Sequence, residues 1–479
     1  REEIAEFGRK RKPPSEDAMH TERIKTQKNI GAIYDERPGK KTGLPIAIYH
    51  PVFAKFLSRA SADFEGDEGT LHDTTLFINA SRDYYPTEGR RTAALQSSLK
   101  ILLHDAVLTE TILNIDADRR IIPDGVIQVK LPRRPWLERE PVCFFTEVKN
   151  EVGAGGCDPA LQCQSDYVKV YSSTLWKPFW DVSCCPALLL AIAGPHMMVS
   201  GAVFAETFVV QRLTDYIALG SHPTEEDKGL RRVAQILVAL KECIEDLEKF
   251  YKSLEPAPVD PPPSAAASST ARTKSRGQTS GPPRKIFPYY TKYLTKDGEH
   301  KFKYTTRLTP LDSPRAVFEA IMESPEVKKV VVKFTRTYCE EAHRLLAEHL
   351  LAPELLHHEV IEGTGIHFVV MDYVEVTTKE GALKVESGPE HVGLLRKAIK
   401  LLHAQGFVFG DLREPNILIA GAGLKLVDFD WCGKIGEARY PTNINMSEGI
   451  PWPDGVRAEG KIEIAHDVTW FRQLTGAEL

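Results

Sequence analysis

Two acidic residues and a lysine in the first half of the chain have the types and spacing needed for metal-assisted chemistry. Asp124 opens one strand-like run, and Glu147 and Lys149 stand two apart in the apolar run "FFTEVKN". Residues two apart on a strand share a face, so a hairpin would bring both carboxylates together beside the lysine. Carboxylates hold Mg²⁺ while leaving room for water and phosphate, and lysine offsets developing negative charge. The spacing suits phosphodiester hydrolysis, although a solvent-facing hairpin with an ordinary Glu–Lys ion pair fits it equally well.

The wider string "PD…FFTEVKNE…GGCDPALQ" resembles the PD-(D/E)xK restriction-endonuclease-like superfamily. It is particularly similar to the nuclease-type domains of fungal Crinkler-like effectors and related basidiomycete proteins. The resemblance covers roughly residues 60–250. It implies that Asp124 and Glu147 bind Mg²⁺ or Mn²⁺, and that Lys149 acts in catalysis with them.

Further residues follow from the same resemblance. Gln162, on the helix after the E-x-K strand, would lie near the site, although a helix-surface glutamine fits its position as well. The first helix of the superfamily often adds an acidic residue, for which Glu88 and Glu110 are both candidates.

Basic residues around the hairpin could contact a nucleic-acid backbone or could be plain solvated surface. They are Arg119, Arg120, Lys130, Arg133 and Arg134.

The second half contains the most specific string of the chain, "HAQGFVFGDLREPNILIAGAGLKLVDFDWCG". It resembles the catalytic loop and the following metal-binding D-F-G of protein-kinase-like proteins. Asp411 matches the catalytic aspartate, and Asn416 and Asp428 match the residues that bind Mg²⁺ at the nucleotide phosphates. The resemblance therefore implies a Mg-ATP site.

Other parts of that resemblance lie on either side. Lys333 in "VVVKF" matches the strand lysine that contacts nucleotide phosphates, and Glu341, with Glu340 as the alternative, would be its helix partner. The run "VVMDYVE", which contains Asp372, looks like the hinge to which adenine binds. Asp467 in "HDVTWF" matches a structural aspartate at the start of a helix.

Four departures from the kinase pattern bear on whether this domain is an active kinase or a regulatory pseudokinase. No G-x-G-x-x-G loop precedes Lys333, and Gly410 replaces the arginine that usually precedes the catalytic aspartate. Asp430 replaces the glycine of D-F-G, and little chain follows Asp467. We expect nucleotide binding, and leave phosphotransfer open against a purely regulatory role.

The periodicities predict the elements that must position these residues. Residues 255–284 are rich in Pro, Ser, Ala and Gly, which predicts a disordered linker between two units. Before the linker, an N-terminal extension (1–60) precedes a nuclease-like domain (61–254) with the order α-β-β-α-β-β-α. After it, residues 285–479 begin with strands and end with helices. The predicted fold is therefore an α/β restriction-endonuclease-like domain plus an α+β two-lobed protein-kinase-like domain.

Composition sets further limits. The net charge of −5 and the pI near 6.4 exclude a globally basic nucleic-acid binder. The eight cysteines show neither C-x-x-C nor zinc-type spacing, which favours reduced thiols. The longest apolar stretch is interrupted by Gly and Pro, so it predicts two buried strands rather than a membrane helix.

Because residue 1 is arginine, we expect the natural N-terminus to lie upstream. The run "GRKRKPP" (8–14) is either a solvated tail or a nuclear-import address.

Taken together, these patterns predict a metal-dependent DNA nuclease of effector or toxin type with an ATP-binding kinase-like domain. DNA, ATP and a protein substrate are the expected partners, and the nucleus of a host or target cell is the expected location. The alternatives are an atypical Ser/Thr protein kinase with an inactive nuclease-like scaffold, and a non-catalytic interaction protein.

Overall fold

The chain divides into two compact units, Arg1–Tyr290 and Thr291–Leu479. In the computed structural model, the described residues are 1–19, 33–37, 43–105, 107–132, 139–255, 286–310, 313, 315–324, 326–376, 388–447 and 449–479. Apart from Glu255, the predicted linker lies outside these residues, and so do Arg133 and Arg134. Within the described ranges no helix has both the length and the apolar character needed to cross a membrane.

The first unit combines helices with one large sheet. Its described helices are α1 (Glu2–Arg9), α2 (Pro14–Met19), α3 (Pro51–Ala60), α4 (Glu68–Arg82), α5 (Glu88–Leu102), α6 (Pro159–Ser172), α7 (Lys177–Trp180) and α8 (Glu226–Ser253). Its described strands are β1 (Ile33–Tyr34), β2 (Leu113–Asn114), β3 (Arg120–Ile121), β4 (Gly125–Gln128), β5 (Val142–Lys149), β6 (Ala187–Ala193), β7 (His196–Phe204), β8 (Phe208–Arg212) and β9 (Ile217–Ala218).

The predicted order α-β-β-α-β-β-α matches α5, β4, β5, α6, β6, β7 and α8, but it lacks the short elements β2, β3 and α7 and the strands β8 and β9. The sheet runs β1-β8-β7-β6-β5-β4, with β9 beside β7. Strand β5 is antiparallel to β4 and parallel to β6, and α6 makes the connection between β5 and β6. Every residue of β5 and β6 is buried, which explains their nearly unbroken apolar sequences. Glu147 and Lys149 lie at the carboxyl end of β5, where parallel strands usually present their functional groups.

Local sequence signals account for the start of α6. Asp158 caps the helix, because its side chain accepts a hydrogen bond from the backbone N–H of Ala160, and Pro159 occupies the first turn. Nearly the whole helix is buried between the sheet and the N-terminal helices. The predicted N-cap is therefore confirmed, and α6 holds its polar residues in a fixed position under the end of β5.

The basic run near the N-terminus is not a solvated tail, because α1 and α2 pack against α6. Arg11 is buried in an ion pair with Asp17, and Arg11 Nη2 donates to Ser165 Oγ over 3.2 Å. Arg9 donates to the backbone oxygen of Ser172 over 2.8 Å. These contacts fix the run to the first unit at both arginines.

The second unit begins with a sheet and ends with helices, in the predicted order. Its described strands are β10 (Lys292–Thr295), β11 (Gly298–Arg307), β12 (Ala316–Ser324), β13 (Lys328–Thr335), β14 (Leu355–Ile361), β15 (Ile366–Asp372), β16 (Phe407–Val408), β17 (Ile417–Ala420), β18 (Gly423–Leu426) and β19 (Gly433–Lys434). Its described helices are α9 (Glu340–Glu348), α10 (Pro389–Ala404) and α11 (Ile464–Thr475).

The larger sheet of this unit is antiparallel throughout, in the order β10-β11-β12-β13-β15-β14. Helix α9 lies in sequence between β13 and β14. Two small antiparallel pairs, β16 with β19 and β17 with β18, follow α10. An apolar core joins α9, α10 and α11 to these pairs, and its buried residues include Phe409, Leu412 and Phe429. The loops that carry Asp411, Asn416 and Asp428 therefore emerge from a packed base.

Candidate functional site

The first candidate site lies where β4 meets the end of β5. Gly125 pairs with Thr146, so the preceding residue, Asp124, falls beside the last residues of β5. Asp124 Oδ2 accepts a hydrogen bond from the backbone N–H of Val148 over 2.7 Å. A Cβ on Gly125 would lie 1.9 Å from the backbone oxygen of Val107, so only glycine fits after Asp124. The strand pairing brings Asp124 to Glu147, as the spacing predicts.

Lys149 completes this group through a contact with α5. Its Nζ lies 3.0 Å from Oε1 of Glu88, at the first turn of that helix. Burial favours the neutral amine, but the carboxylates of Glu88, Glu147 and Asp124 outweigh it and raise the pKa of Lys149. Of the two candidate helix acids, Glu88 therefore lies at the site, whereas Glu110 is exposed in the segment after α5.

Sequence reasoning missed one acidic residue of this cluster, Asp166 on α6. Its carboxyl group lies close to that of Glu147, and both side chains are about 2% exposed. Burial, together with the charges of neighbouring carboxylates, raises the pKa of Glu147, and burial raises the pKa of Asp166 to about 7. Asp166 Oδ2 is buried without a hydrogen-bond partner. Its four-residue spacing from Gln162, which places both on one helix face, was the available signal.

Gln162 is buried on α6, one turn before Asp166. Its Oε1 lies 3.7 Å from the Sγ of Cys157. Among the described residues, no hydrogen bond joins Gln162 to Asp124, Glu147 or Lys149. The helix thus places Gln162 near the cluster but outside its hydrogen bonds.

The oxygen donors of this cluster suit Mg²⁺ in chemical type. The described part of the chain contains no group of three or more His, Cys, Asp or Glu side chains arranged to hold a metal ion. Mg²⁺ commonly keeps several waters and uses only one or two protein carboxylates, which Asp124 and Glu147 could supply. Because Asp166 Oδ2 is buried without a hydrogen-bond partner, the cluster has more carboxylate oxygens than hydrogen-bond donors to satisfy them.

The second candidate site lies between β13 and the loop after β18. Lys333 Nζ lies 2.5 Å from Oδ1 of Asp428, although the two residues are 95 apart in sequence. Nζ also lies 2.5 Å from Oδ1 of Asp430, whose Oδ2 accepts from Thr335 Oγ1 over 2.9 Å. Arg315, at the end of the loop between β11 and β12, adds a contact of 3.3 Å from Nη1 to Asp428 Oδ2.

These charges stabilise one another in a buried position. Burial favours neutral Lys333, but the two aspartates outweigh it and raise the pKa of the amine. For Asp428, burial is outweighed by Lys333 and Arg315, which lower the pKa of its carboxyl group. Burial and the charge of Asp428 raise the pKa of Asp430 to about 6. The cluster therefore sets two cations, the buried Lys333 and the half-exposed Arg315, against two carboxyl groups.

The predicted helix partner of Lys333 is wrong. Glu341 is exposed, and its Oε2 lies 2.7 Å from Nζ of Lys434. The alternative, Glu340, pairs with Arg344 and His358. The reason is that α9 turns both glutamates away from β13, while Asp430 supplies a carboxylate from the other side.

The loop after β16 carries Asp411 and Asn416. Both carboxylate oxygens of Asp411 accept from Arg413, one of them over 2.8 Å from Nη2. Asn416 Nδ2 donates a hydrogen bond to the backbone oxygen of Asp411 over 2.9 Å. The amide oxygen of Asn416 is therefore the atom that remains to bind a cation. Both side chains are buried. This loop brings a carboxylate and an amide to the same part of the unit as Asp428.

Asp467, which the resemblance places at the start of a helix, lies in the first turn of α11 and anchors that loop. Its two carboxylate oxygens accept from the backbone N–H groups of Phe409 (2.8 Å) and Gly410 (2.9 Å), and His403 Nε2 lies 3.0 Å away. Gly410 has φ +80°, and a Cβ there would lie 2.8 Å from Ile462 Cδ1. The loop conformation thus explains why glycine replaces a larger residue before Asp411.

Rings connect α9 to this anchored loop. The imidazole of His343 stacks on Phe429, with ring centroids 4.5 Å apart, and Phe429 packs edge-on against Phe409. Asp428, just before Phe429, has φ +71°. The position of Asp428 is therefore tied both to α9 and to the loop that Asp467 holds.

Asp372, predicted as part of the nucleotide hinge, ends β15. Its Oδ1 lies 2.6 Å from Nζ of Lys328 on β13, and its backbone N–H donates to Glu354 over 3.0 Å. Its carboxylate is thus used within the sheet. A role in binding adenine stays a prediction for this segment.

Comparison with known proteins gives little beyond this geometry. No family model matches the chain, and no curated protein matches it. A solved structure that it resembles is the kinase PK-1 of the Cydia pomonella granulovirus, at 18% identity and a TM-score of 0.28. The match covers 37% of this chain and 72% of that one. At this identity and TM-score, the likeness says nothing about what this chain binds or does.

Proposed function

We propose that the second unit is an atypical protein-kinase-like domain that binds a magnesium–nucleoside triphosphate complex and transfers its terminal phosphate. The observation that carries the proposal is the contact between Lys333 and Asp428, 2.5 Å apart in space and 95 residues apart in sequence. A buried cation that contacts the phosphates and a carboxylate that holds their Mg²⁺ are the two groups that this chemistry needs side by side. The order of elements supports the proposal, with an antiparallel sheet, one intervening helix and an anchored polar loop.

Each residue has a distinct task in this proposal. Lys333 binds phosphate oxygens, and Asp428 and Asn416 hold Mg²⁺, which supplies charge neutralisation at the phosphates when bound. Asp411 accepts the proton of the acceptor hydroxyl. Both oxygens of Asp411 accept from Arg413, and each keeps a second lone pair that can take the proton. The acceptor is proposed to be a protein Ser or Thr.

The test uses the full chain with radiolabelled ATP and Mg²⁺. We expect Mg-ATP to raise the melting temperature and label to appear on the protein or on an added protein substrate. Asp428→Asn should remove both effects, whereas Asp454→Asn, an exposed aspartate in the same unit, should keep them. No thermal shift at millimolar Mg-ATP would reject nucleotide binding, and a shift without labelling would leave a nucleotide-binding pseudokinase.

A second candidate function, metal-dependent cleavage of DNA, is favoured for the first unit by a specific observation. Asp124, Glu147 and Lys149 meet at the end of β5, where Lys149 is held by Glu88. In this proposal the carboxylates bind Mg²⁺ or Mn²⁺, which supplies an activated water when bound, and Lys149 offsets negative charge on the phosphate. A PD-(D/E)xK-like fold and a Crinkler-type effector acting in a target-cell nucleus belong to this proposal.

Plasmid DNA with Mg²⁺ or Mn²⁺ provides the test of this second function. Cleavage should require the metal and should be abolished by chelation with EDTA. Intact plasmid after prolonged incubation with either metal would favour the alternative of an inactive nuclease-like scaffold attached to a kinase.

A further inference from the structure

The loop between β11 and β12 carries an arginine where a glycine-rich phosphate-binding loop would be expected. The sequence lacks the G-x-G-x-x-G motif before Lys333. Instead Arg315 Nη1 lies 3.3 Å from Asp428 Oδ2. The same carboxylate accepts from Lys333 through its other oxygen.

The backbone around Arg315 is held in place by side chains at the base of the loop. Thr309 Oγ1 donates to the backbone oxygen of Arg315 over 2.7 Å, and Arg307 Nη2 donates to the backbone oxygen of Ser313 over 2.6 Å. Ser313 Oγ in turn accepts from the backbone N–H of Arg315 over 3.2 Å. These contacts fix the start of β12, while the Arg315 side chain remains about half exposed.

We propose that Arg315 is a phosphate-binding residue of the nucleotide site and takes over the contact that the missing glycine-rich loop would make. Arg315 and Lys333 balance the charges of Asp428 and Asp430 in the absence of nucleotide. A Mg²⁺–triphosphate complex brings the opposite set, a cation for the carboxylates and anionic oxygens for the arginine and lysine. The two cations therefore exchange carboxylate for phosphate when the nucleotide enters, and Mg²⁺ takes their place at the carboxylates.

The chemistry of the two cations differs in a way that matters for this role. Guanidinium has donors in a planar fork and can bind two phosphate oxygens at once, whereas an ammonium acts as a point charge. Arg315 is on the exposed side of Asp428 and Lys333 on the buried side. Arg315 is thus placed to recognise the phosphates, and its contribution should depend on their number.

This inference rests on the proposed nucleotide binding, and calorimetric titration of the full chain tests the two separately. Mg-ATP, Mg-ADP and adenosine are titrated into wild type, Arg315→Gln, Arg315→Lys and Lys296→Gln. Lys296 lies in the β10–β11 turn and provides the same loss of charge away from the site. We expect Arg315→Gln to weaken Mg-ATP binding by roughly ten- to a hundred-fold, the usual effect of losing a charged hydrogen bond. Adenosine affinity should not change, Arg315→Lys should recover part of the loss, and Lys296→Gln should bind as wild type.

Equal Mg-ATP affinity in wild type and Arg315→Gln would overturn the role of Arg315 while leaving nucleotide binding in place. An equal loss for adenosine and Mg-ATP would also overturn it, because it would indicate that Arg315 only shapes the loop. If wild type binds none of the three ligands, the proposed function fails and the phosphate role of Arg315 fails with it.

Discussion

Lys333 Nζ and Asp430 Oδ1 lie 2.5 Å apart, so the residue in the place of the D-F-G glycine supplies a charge partner to the strand lysine. This pairing explains why the lysine does not need a glutamate from α9. Asp428 and Asp430 both belong to the loop after β18, so this one loop holds Lys333 in place.

The pairing predicts unequal effects of two neutralising substitutions. Glu341→Gln should leave Mg-ATP affinity within about two-fold of wild type, because Glu341 is exposed and its partner is Lys434. Lys333→Gln should weaken Mg-ATP binding roughly ten-fold or more, because it removes a charged phosphate contact. Titration calorimetry on both variants measures the difference. A large loss in Glu341→Gln would indicate that Lys333 changes partner when nucleotide binds, and would contradict the assignment of Asp430.

Asp411 should affect transfer without affecting binding. Asp411→Asn should lower the rate of phosphotransfer by about a hundred-fold or more, since a general base typically contributes that much. Mg-ATP should still raise the melting temperature, because Lys333 and Asp428 are unchanged. Rates with labelled ATP and the thermal shift are read on the same preparation. Unchanged transfer would remove Asp411 from the mechanism, and a lost thermal shift would make its role structural.

Asp467 should be important for the stability of the second unit. Asp467→Ala leaves the N–H groups of Phe409 and Gly410 without their acceptor, which should lower the free energy of unfolding by roughly 3–5 kcal/mol. Urea unfolding, followed through the transition that Mg-ATP shifts, measures the loss. Asp454→Ala, at an exposed site, is the matched control. A loss below about 1 kcal/mol would show that water or another group replaces the carboxylate.

Features that depend on neighbours in sequence could be predicted, and partners chosen by tertiary packing could not. Asp158 as an N-cap follows from a local pattern, and Asp467 at a helix start follows from the resemblance of the string "HDVTWF". The partner of Lys333 depends on how α9 is rotated, and its sequence offers two adjacent glutamates that fit equally well. Asp430 was visible as a departure from D-F-G, but its contact with Lys333 requires the fold.

The carboxylate cluster likewise contains some contacts that the sequence predicts and others that only tertiary packing determines. Asp124, Glu147 and Lys149 could be grouped because strand pairing and alternation are regular. Glu88 and Glu110 could not be told apart, because only the position of α5 brings one of them to Lys149. Asp166 shares a helix face with Gln162, but its contact with Glu147 depends on how α6 packs under β5.

Glu147→Gln tests the cluster with little change in shape. Metal-dependent plasmid cleavage should fall by about a hundred-fold or more, because a metal-binding carboxylate becomes a neutral amide. The fold should be retained, because a buried carboxyl with a raised pKa is replaced by a group of the same size that carries no charge. Glu110→Gln, at the exposed position after α5, is the control. Cleavage by Glu147→Gln at the wild-type rate would exclude Glu147 from the reaction.

His343 should make the stability of the second unit dependent on pH. Its buried ring is satisfied as the neutral tautomer, with Nε2 donating to the backbone oxygen of Pro353 over 2.9 Å and Nδ1 accepting from the hydroxyl of Tyr338. Burial lowers the pKa of His343 to about 4 from its ordinary 6.5. Between these values the unfolded chain binds a proton that the folded chain does not, so the free energy of unfolding falls as the pH drops from about 6.5 to 4. The fall due to this ring should be roughly 3 kcal/mol.

Denaturant unfolding at several pH values, compared between wild type and His343→Leu, isolates this contribution. The leucine variant loses two hydrogen bonds at every pH, so it should be less stable near pH 7, but its stability should fall less steeply on acidification. His349→Gln, at an exposed position just after the same helix, should keep the wild-type slope. Parallel curves for wild type and His343→Leu would mean that the ring takes up its proton equally in the folded and unfolded chain. His343 would then not be the neutral tautomer with two hydrogen bonds, and its ring would stack on Phe429 as a charged imidazolium.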